Sequence, residues 1–356
     1  MKKKFTSHYL PWILLLLILG LSAFFRFRGL NWGENTYLHP DERFLIWVTS
    51  SIESVDKFSD YFNTHISYLN PTNRGHGFFV YGTLPIFITR YLVEFFFELV
   101  GWVEISLTGR ALSALFDLGS VFLLFFIGKK LFNQWVGLLA ALFAGMAVLQ
   151  IQQSHFYTVD TFATFFTTLA FYLAVLISQS EVYIKTNSNH EDSKADETKV
   201  NCPPWLKRNS VTVLSIAFGF VVGLAAASKI NTVFISLLLP LALLIIYSSS
   251  AQENKDRVSK VIFQSLLLGG FFAVLSFRVF QPYAFEGPGF FSFKINPHWL
   301  NNIKEVSEQS SGNVDFPPAL QWARRNFLFS GKNMTLWGLG LPLGVAAWVG
   351  VGIMLW

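Results

Sequence analysis

The chain has 356 residues, of which 52% are hydrophobic and 17% aromatic, while only 14% are charged. Soluble domains carry about 25% charged residues, so this composition excludes an ordinary soluble protein and indicates one that crosses a membrane several times. The net charge is +5, and Lys and Arg cluster between apolar runs, which reports membrane orientation and argues against a nucleic-acid partner. The single cysteine, Cys202, excludes an intramolecular disulfide framework.

The apolar runs predict a single transmembrane domain with an all-α fold. A bilayer core about 30 Å thick needs about 20 apolar residues per helix. The predicted spans are 9–28, 109–128, 136–153, 157–178, 210–228, 232–248, 260–280 and 336–356. The first has no signal-peptide cleavage site after it, so we interpret it as a retained span. The last is still apolar at Trp356, which indicates a chain that is incomplete at its C-terminus.

The apolar stretch 78–101 is ambiguous. Arg90, Glu94 and Glu98 are spaced so that they share one face of a helix. A helix with one charged face is typical of the membrane interface. We therefore predict a juxtamembrane helix here and no span.

The basic loops support this prediction. Lys residues at positions 2–4 place the N-terminus in the cytoplasm, and the other basic loops join it only if 78–101 does not cross. The linker 179–209, which is rich in Ser, Asn, Asp and Glu and therefore predicted to be disordered, is then cytoplasmic. The loops 29–108 and 281–335 lie on the extracytoplasmic side.

The first of these loops contains the acidic motif Leu38–Arg43, with the sequence Leu-His-Pro-Asp-Glu-Arg. Pro40 suits the first turn of a helix, and apolar residues follow at helical spacing. Asp41 would lie at the positive end of that helix. This position favours an ionised carboxylate that can take a proton from an acceptor hydroxyl or amine. A simple capping acid is the structural alternative, and it is the commoner role on spacing alone.

A second acid, Asp160, lies in the next extracytoplasmic turn, close to His155. Asp160 could bind sugar hydroxyls, hold an acceptor, share a divalent metal with Asp41, or cap the helix that follows it. His155 is better explained as an interfacial hydrogen-bonding residue than as a metal ligand, and we place it among the candidate residues that bind the substrate or its lipid phosphate. The sequence therefore leaves metal binding undefined and requires no cofactor.

Three cations stand at the predicted outer ends of spans: Arg110, Lys229 and Arg278. The positive-inside rule disfavours cations on that side. A phosphate ligand would explain all three together, whereas snorkelling to lipid headgroups would explain any one of them.

The order of these features resembles the GT-C glycosyltransferases, especially the protein O-mannosyltransferase and aminoarabinose-transferase branch of glycosyltransferase family 39 and its relatives. The resemblance rests on His-Pro-Asp-Glu in the first outer loop, Arg110 at the start of a span, Gly-Lys-Lys-Leu-Phe at its inner end, Asp160, and Ala-Ala-Ser-Lys-Ile-Asn around Lys229. It covers most of residues 9–280 and implies a GT-C-like helical bundle.

The resemblance also implies an activity. Such enzymes move a hexosyl or pentosyl group from a polyprenyl- or dolichyl-phosphate donor to a protein or lipid acceptor, with inversion, outside a bacterial plasma membrane. By motif, Asp41 would be the base and Glu42 its supporting acid. Arg110 and Lys229 match basic positions of relatives, and Asp160 matches an acid that binds metal in the oligosaccharyltransferase branch.

One motif departs from the family. Some relatives have Lys-Pro-Pro or Pro-Pro-Leu after the catalytic acid, with a phosphate-binding role, but the matching stretch here is 81–85, Tyr-Gly-Thr-Leu-Pro. Without that lysine, we expect Arg278 and Arg74 to help bind the lipid phosphate. A transporter or flippase for a lipid-linked or anionic substrate is an alternative, which predicts charges near the bilayer midplane and repeat symmetry. A non-catalytic membrane scaffold is a third.

Overall fold

A computed structural model describes residues 2–180, 210–323 and 325–356 of the chain. Most of the predicted cytoplasmic linker 179–209 therefore lies outside the described residues. Within them the secondary structure is helical, without a β-strand. The prediction of an all-α polytopic membrane protein is confirmed.

The chain order of the helices is as follows. The α-helices are α1 (Lys2–Phe27), α2 (Pro40–Ser51), α3 (Phe58–Tyr61), α4 (Thr83–Phe96), α5 (Trp102–Leu131), α6 (Gln134–Met146), α7 (Val148–Ser154), α8 (Val159–Ser178), α9 (Ser210–Ser228), α10 (Leu238–Ser249), α11 (Lys255–Phe280), α12 (Pro297–Ser311), α13 (Pro317–Ala323), α14 (Phe329–Asn333) and α15 (Leu341–Leu355). Short 3₁₀ turns cover Pro71–Arg74, Ile230–Leu237, Gln252–Asn254 and Pro282–Ala284, and a π turn covers Met334–Gly338.

Six helical segments of the described chain are long and apolar enough to cross a membrane. They are Tyr9–Phe27, Trp102–Leu131, Val159–Ser178, Val211–Ser228, Ile230–Ser249 and Gln252–Phe280. The predicted span 136–153 is broken into α6 and α7, which are bent by 59°. The predicted span 336–356 contains only the 15 residues of α15 after the π turn.

Close contacts at glycines define the direction of the first helices. A Cβ added to Gly109 of α5 would lie 2.3 Å from the ring of Tyr157, just before α8. Farther along, a Cβ on Gly119 would lie 2.6 Å from the ring of Phe165. The two helices therefore run parallel, so α6 and α7 together must return the chain across the bundle. The bent pair is thus a broken span and not a re-entrant loop.

A buried ion pair holds this bend. Arg26 of α1 is fully buried and donates to Asp117 at 2.5 Å and to the carbonyl oxygens of Gly145 and Ala144 at 2.9 and 3.4 Å. Those carbonyls belong to the last turn of α6, where backbone carbonyl oxygens have no N–H partner within the helix. Asp117 lies halfway along α5, and the sequence alone gave no prediction for it. Because the pair is closed and caps the bend, its evident role is structural.

The later helices pack through small residues. A Cβ on Gly219 of α9 would lie 1.9 Å from the Gly269 carbonyl oxygen of α11, and one on Gly223 would lie 2.5 Å from that of Ala273. Small residues allow such close backbone approach between membrane helices. The register shows that α9 and α11 are parallel, so their C-terminal ends lie at the same end of the bundle.

We call that end the site end, because it also carries α2 and the first turns of α5 and α8. The opposite end carries Lys129 and Lys130 at the close of α5 and Lys255 at the start of α11. The Lys129 amine lies 4.8 Å from the ring of Trp12, so the N-terminal half of α1 is there too.

Helix α4 covers the site end but differs in detail from the prediction. It ends at Phe96, so Glu98 lies beyond it. Arg90 is buried, pairs with Glu94 at 2.6 Å and donates to two carbonyl oxygens at the C-terminal end of α2. Phe95 and Phe96 are exposed. Arg90 therefore faces the protein together with buried apolar residues such as Ile86 and Val93, and the exposed aromatic residues stand at the C-terminal end of the helix.

Candidate functional site

Glu42 anchors the first turn of α2. The turn begins at His39, whose Nδ1 accepts the Glu42 N–H at 3.4 Å. The Glu42 carboxylate is fully buried and receives two hydrogen bonds from Arg110, at 2.7 and 2.8 Å, and one from the Tyr157 N–H at 2.9 Å. Three bonds to one carboxylate fix α2 against α5 and against the turn before α8.

Arg110 is equally enclosed. Its third nitrogen, Nη1, donates to the carbonyl oxygens of Leu30 and Trp32, at 2.7 and 3.3 Å, and its side chain is 1% exposed. This arrangement does not fit the predicted binding of lipid phosphate by Arg110, because all three nitrogens are engaged inside the protein. The Glu42 carboxylate is likewise enclosed, and its predicted role as the supporting acid of Asp41 stays a prediction.

Asp41 occupies a different environment from its neighbour. It is half-buried in the first turn of α2. Burial, followed by the charges of Asp41 and Asp160, raises the pKa of Tyr81. The phenol therefore stays protonated and remains a donor at neutral pH.

Gly82 joins the segment that carries Tyr81 to the C-terminal end of α9. The Gly82 N–H donates to the Ser228 carbonyl oxygen at 3.0 Å. A Cβ at position 82 would lie 1.8 Å from the Ala227 carbonyl oxygen, so only glycine allows this approach. Tyr81 is thereby held next to the residue that follows Ser228, which is Lys229.

Lys229 pairs with the second acid. Its amine lies 2.7 Å from Asp160 in the first turn of α8, and the two side chains are 39% and 36% exposed. The charge of Asp160 also acts on Tyr81. We therefore define the acid–lysine cluster as Asp41, Tyr81, Asp160 and Lys229. Three of its members are predicted site residues, and all four side chains are partly exposed, so that solvent or a ligand can reach them.

Arg278 lies apart from this cluster. It is fully buried and donates to the carbonyl oxygens of Phe290, Pro282 and Gly289, at 3.0, 3.0 and 2.7 Å. Its guanidinium also lies 4.9 Å from the ring of Phe62. The predicted phosphate contact does not fit this position. Arg278 instead fastens the loop after α11.

Arg74 and His155 are also engaged elsewhere. Arg74 donates to the Ser51 carbonyl at 2.6 Å, at the C-terminal end of α2, which is about 15 Å along that helix from Asp41. The ring nitrogens of His155 lie 2.7 and 3.1 Å from backbone carbonyl oxygens, those of Ile151 and Arg28. Both side chains are held by backbone carbonyl oxygens, and their predicted binding of substrate or lipid phosphate stays a prediction.

The predicted metal pair remains incomplete as a ligand set. Asp41 and Asp160 both act on Tyr81, but the described ranges contain no group of three His, Cys, Asp or Glu residues that could hold a metal ion. Two carboxylates are fewer than the three protein ligands of a typical catalytic zinc site.

An apolar groove opens beside Lys229. Its volume is about 300 Å³, and it lies between α9, the 3₁₀ turn after it, and α11. The lining residues are Val222, Gly223, Ala226, Ile230, Val233, Ala273, Val274, Phe277 and Phe285. Ile230 follows Lys229 directly, so an apolar chain in the groove could carry its charged end to the Lys229 amine.

The sequence missed Tyr81, Gly82 and Tyr157. Tyr157 is fully buried and donates its backbone N–H to Glu42, while its hydroxyl lies 3.2 Å from that of Thr49. A signal for Tyr81 existed, because the departure from the family motif begins at that residue. It gave no indication that the charges of Asp41 and Asp160 act on Tyr81, which depends on tertiary structure.

Comparison with known proteins bears on the central part of the chain. Residues 85–185 match the family model described as dolichyl-phosphate-mannose-protein mannosyltransferase. The match includes Arg110 and Asp160, whereas Asp41, Tyr81 and Lys229 lie outside it. No curated protein matches the chain. The similarity over residues 85–185 confirms the predicted resemblance to GT-C glycosyltransferases and supports a membrane glycosyltransferase that uses a lipid-linked sugar donor.

Proposed function

We propose that the chain is an inverting glycosyltransferase that moves a sugar from a polyprenyl-phosphate donor to an acceptor hydroxyl or amine at the site end. The observation that carries this proposal is the acid–lysine cluster. It comprises a half-buried carboxylate, Asp41, and the Lys229 amine, which pairs with Asp160 at 2.7 Å and is followed by Ile230 in the lining of an apolar groove of about 300 Å³. A base, a phosphate-binding cation and a surface for an isoprenoid chain are what such a transfer requires.

Asp41 acts as the base in this proposal. It takes the proton from the acceptor O–H or N–H while the acceptor atom attacks the anomeric carbon. The bond between that carbon and the phosphate oxygen breaks on the opposite face, and its electron pair leaves with polyprenyl phosphate. The anomeric centre is therefore inverted, and Asp41 afterwards returns the proton to solvent.

Lys229 holds the leaving phosphate. In the structure its charge is paired with Asp160, and a phosphate entering from the groove would replace one carboxylate oxygen with its own. A cation at this point stabilises the negative charge that develops on the phosphate as the sugar leaves. Asp160, once released, is free to hydrogen-bond to sugar hydroxyls.

The basic residues support an extracytoplasmic site end. Lys129, Lys130 and Lys255 lie at the opposite end of the bundle, and cytoplasmic ends of membrane helices carry an excess of such residues. The acceptor would then be a protein or lipid outside the cytoplasm, in a plasma membrane of bacterial type. The transporter alternative gains little from the Arg26–Asp117 pair, because that pair is buried and closed.

The direct test is transfer by the purified protein from a panel of polyprenyl-phosphate sugars that includes dolichyl-phosphate-mannose. We expect release of polyprenyl phosphate by the native chain and loss of that release in Asp41→Asn. Asp56→Asn removes an exposed acid at the same end and should keep full activity. Full activity of a well-folded Asp41→Asn protein would remove Asp41 as the base. Translocation in proteoliposomes without bond cleavage would favour a transporter.

A further inference from the structure

The loop that follows α11 closes on itself. Phe285 and Ile295 form an antiparallel bridge, and the Glu286 N–H donates to the Lys294 carbonyl oxygen at 2.7 Å. The Glu286 carboxylate also pairs with the Lys294 amine at 2.5 Å. We call residues 285–295 the aromatic loop, because four of them are phenylalanine. Its two charged side chains pair with each other, so the loop carries no net charge.

Arg278 fixes the position of the aromatic loop along the bundle. Two of its hydrogen bonds end on carbonyl oxygens of the loop, those of Phe290 and Gly289, at 3.0 and 2.7 Å. Arg278 lies in the last turn of α11, and the apolar part of that helix, residues 261–280, has the length of about 20 residues that crosses a bilayer core. The loop is therefore held at the boundary between lipid and water.

The outer side of the aromatic loop is apolar and exposed. Phe291 is 86% exposed, Ile295 52% and Phe293 47%. Three large apolar side chains within five residues form a patch and are not scattered singly over a surface. Such a patch on a folded protein marks a place where another molecule binds.

The lipid-facing side of α11 leads directly to this patch. Phe271 and Val274 are 58% and 53% exposed, and they precede Arg278 by about two turns and one turn of the helix. Residues at this spacing share one helix face. The loop that covers Arg278 therefore continues a surface that faces lipid along the span, and the occupant that fits its apolar patch is lipid.

We propose that the aromatic loop dips into the lipid leaflet at the site end, with Phe291 and Phe293 between the lipid chains. Removal of the two rings from water drives the contact. It needs no anionic headgroup, because the charges of Glu286 and Lys294 are paired within the loop. The contact holds whatever reaction the chain carries out.

The lipid contact has a consequence for the apolar groove. Phe285 lines the groove, and its ring lies 5.8 Å from that of Phe293. A loop inserted in lipid holds this wall of the groove at the depth of the membrane, so that an isoprenoid chain enters the groove sideways from the leaflet. This consequence alone rests on the proposed function.

Helix α12, which follows the aromatic loop, provides the contrast within the same outer segment. Its exposed positions include Lys304, Glu305, Ser307 and Glu308. Charged side chains of this kind stay in water. The border between lipid and water would then run between the aromatic loop and α12.

Spin labels measure the depth of the loop. In the Cys202→Ser background, Phe291→Cys and Glu308→Cys carry the label in protein reconstituted into phosphatidylcholine vesicles. We expect the label at position 291 to be more accessible to oxygen than to a water-soluble nickel complex, at a depth of about 5–10 Å below the phosphates. The label at position 308 should show the opposite preference. A preference for the nickel complex at both positions would overturn the proposal.

A third label tests whether Phe291 holds the loop in the lipid. With the label at Phe293→Cys, Phe291→Asp should move it toward water, because a carboxylate resists transfer into an apolar phase. Phe291 is 86% exposed, so the substitution removes little packing. Ser307→Asp adds the same charge on the exposed side of α12 and should leave the depth unchanged. Equal depths in the two variants would overturn the anchoring role of Phe291.

Lipid composition separates apolar contact from attraction by charge. Replacement of part of the phosphatidylcholine by phosphatidylglycerol should leave the depth at position 291 unchanged. Insertion only in the presence of the anionic lipid would overturn the contact as proposed. These measurements need no sugar transfer, so a native chain that is inactive with every donor would remove the proposed function, while the label depths would still decide the lipid contact.

Discussion

The Glu42 carboxylate and the Arg110 guanidinium meet through two hydrogen bonds of 2.7 and 2.8 Å at a point where both side chains are at most 1% exposed. The pair joins the first turn of α2 to α5. Asp41 is adjacent in sequence but half-buried. One acid therefore builds the site, and its neighbour is left available for chemistry.

Glu42→Gln should destabilise the protein strongly. The amide keeps the shape of the side chain but leaves the Arg110 charge buried without its counter-ion, which costs about 3–5 kcal/mol. The measurement is the thermal unfolding midpoint of purified protein in detergent. Glu53→Gln is the control, because the Glu53–Arg74 pair is partly exposed and such pairs contribute about 0–1 kcal/mol. Equal midpoints for the two variants would contradict the structural role of Glu42.

Gly82→Ala should displace the segment that carries Tyr81. The new Cβ would lie 1.8 Å from the Ala227 carbonyl oxygen, which is backbone and cannot rotate away. We expect loss of sugar transfer with a smaller loss of stability, because the clash is confined to one crossing of a loop and a helix end. Activity and unfolding midpoint are measured together.

Gly77→Ala is the matched control for this substitution. Gly77 lies in the same segment, and a Cβ there would meet nothing within 4 Å. Native activity is expected. If Gly82→Ala is as active as Gly77→Ala, the close approach to α9 is not needed for the site.

The residues that the sequence could predict are those whose chemistry stands out against an apolar background. Asp41, Asp160 and Lys229 were predicted because charged residues at span ends are conspicuous, and the structure brings them together. The same reasoning assigned Arg110 and Arg278 to a phosphate, because a sequence displays a charge but not its partner. The partners, a buried carboxylate and three loop carbonyls, are defined only by packing.

The fold was predictable to a similar extent. Length and hydropathy predicted six spans that coincide with helices long and apolar enough to cross a membrane, since the bilayer imposes both properties. The break between α6 and α7 was not visible, because Ala147 is no helix breaker and the bend is held by Arg26, which is distant in sequence. The role of Asp117 was not predictable for the same reason, because its partner Arg26 is distant in sequence.

Asp160→Asn should increase the affinity for a lipid phosphate. The Lys229 amine is now paired with Asp160, so a phosphate must compete with that carboxylate. Removing a partly exposed pair of about 1 kcal/mol should tighten binding of polyprenyl phosphate by about fivefold. Binding is measured on purified protein, without any sugar transfer.

The controls for this prediction come from the chain itself. Lys229→Met should weaken polyprenyl phosphate binding. Glu286→Gln releases Lys294 from another partly exposed ion pair, which shares no residue with the Lys229–Asp160 pair. This variant should bind polyprenyl phosphate as the native chain does. Unchanged or weaker binding in Asp160→Asn would mean that Asp160 does not compete for Lys229.

Cysteine labelling should place the site end outside the cytoplasm. The chain has one cysteine, so Cys202→Ser gives a background without any thiol. In it, Asp56→Cys introduces an exposed thiol in the loop after α2, and Gln252→Cys introduces one at the start of the segment that leads into α11. A membrane-impermeant maleimide should label position 56 in intact cells and position 252 only after permeabilisation.

This expectation follows from the distribution of Lys and Arg along the bundle. Position 252 lies at the end that carries Lys129, Lys130 and Lys255, and a cytoplasmic location of that end satisfies the positive-inside rule. The reverse labelling pattern would put Asp41 in the cytoplasm, and the acceptor would then have to be a cytoplasmic molecule. Labelling of both positions in intact cells would show that positions 56 and 252 lie on the same side of the membrane. That result would contradict the assignment of the two positions to opposite ends of a membrane-spanning bundle.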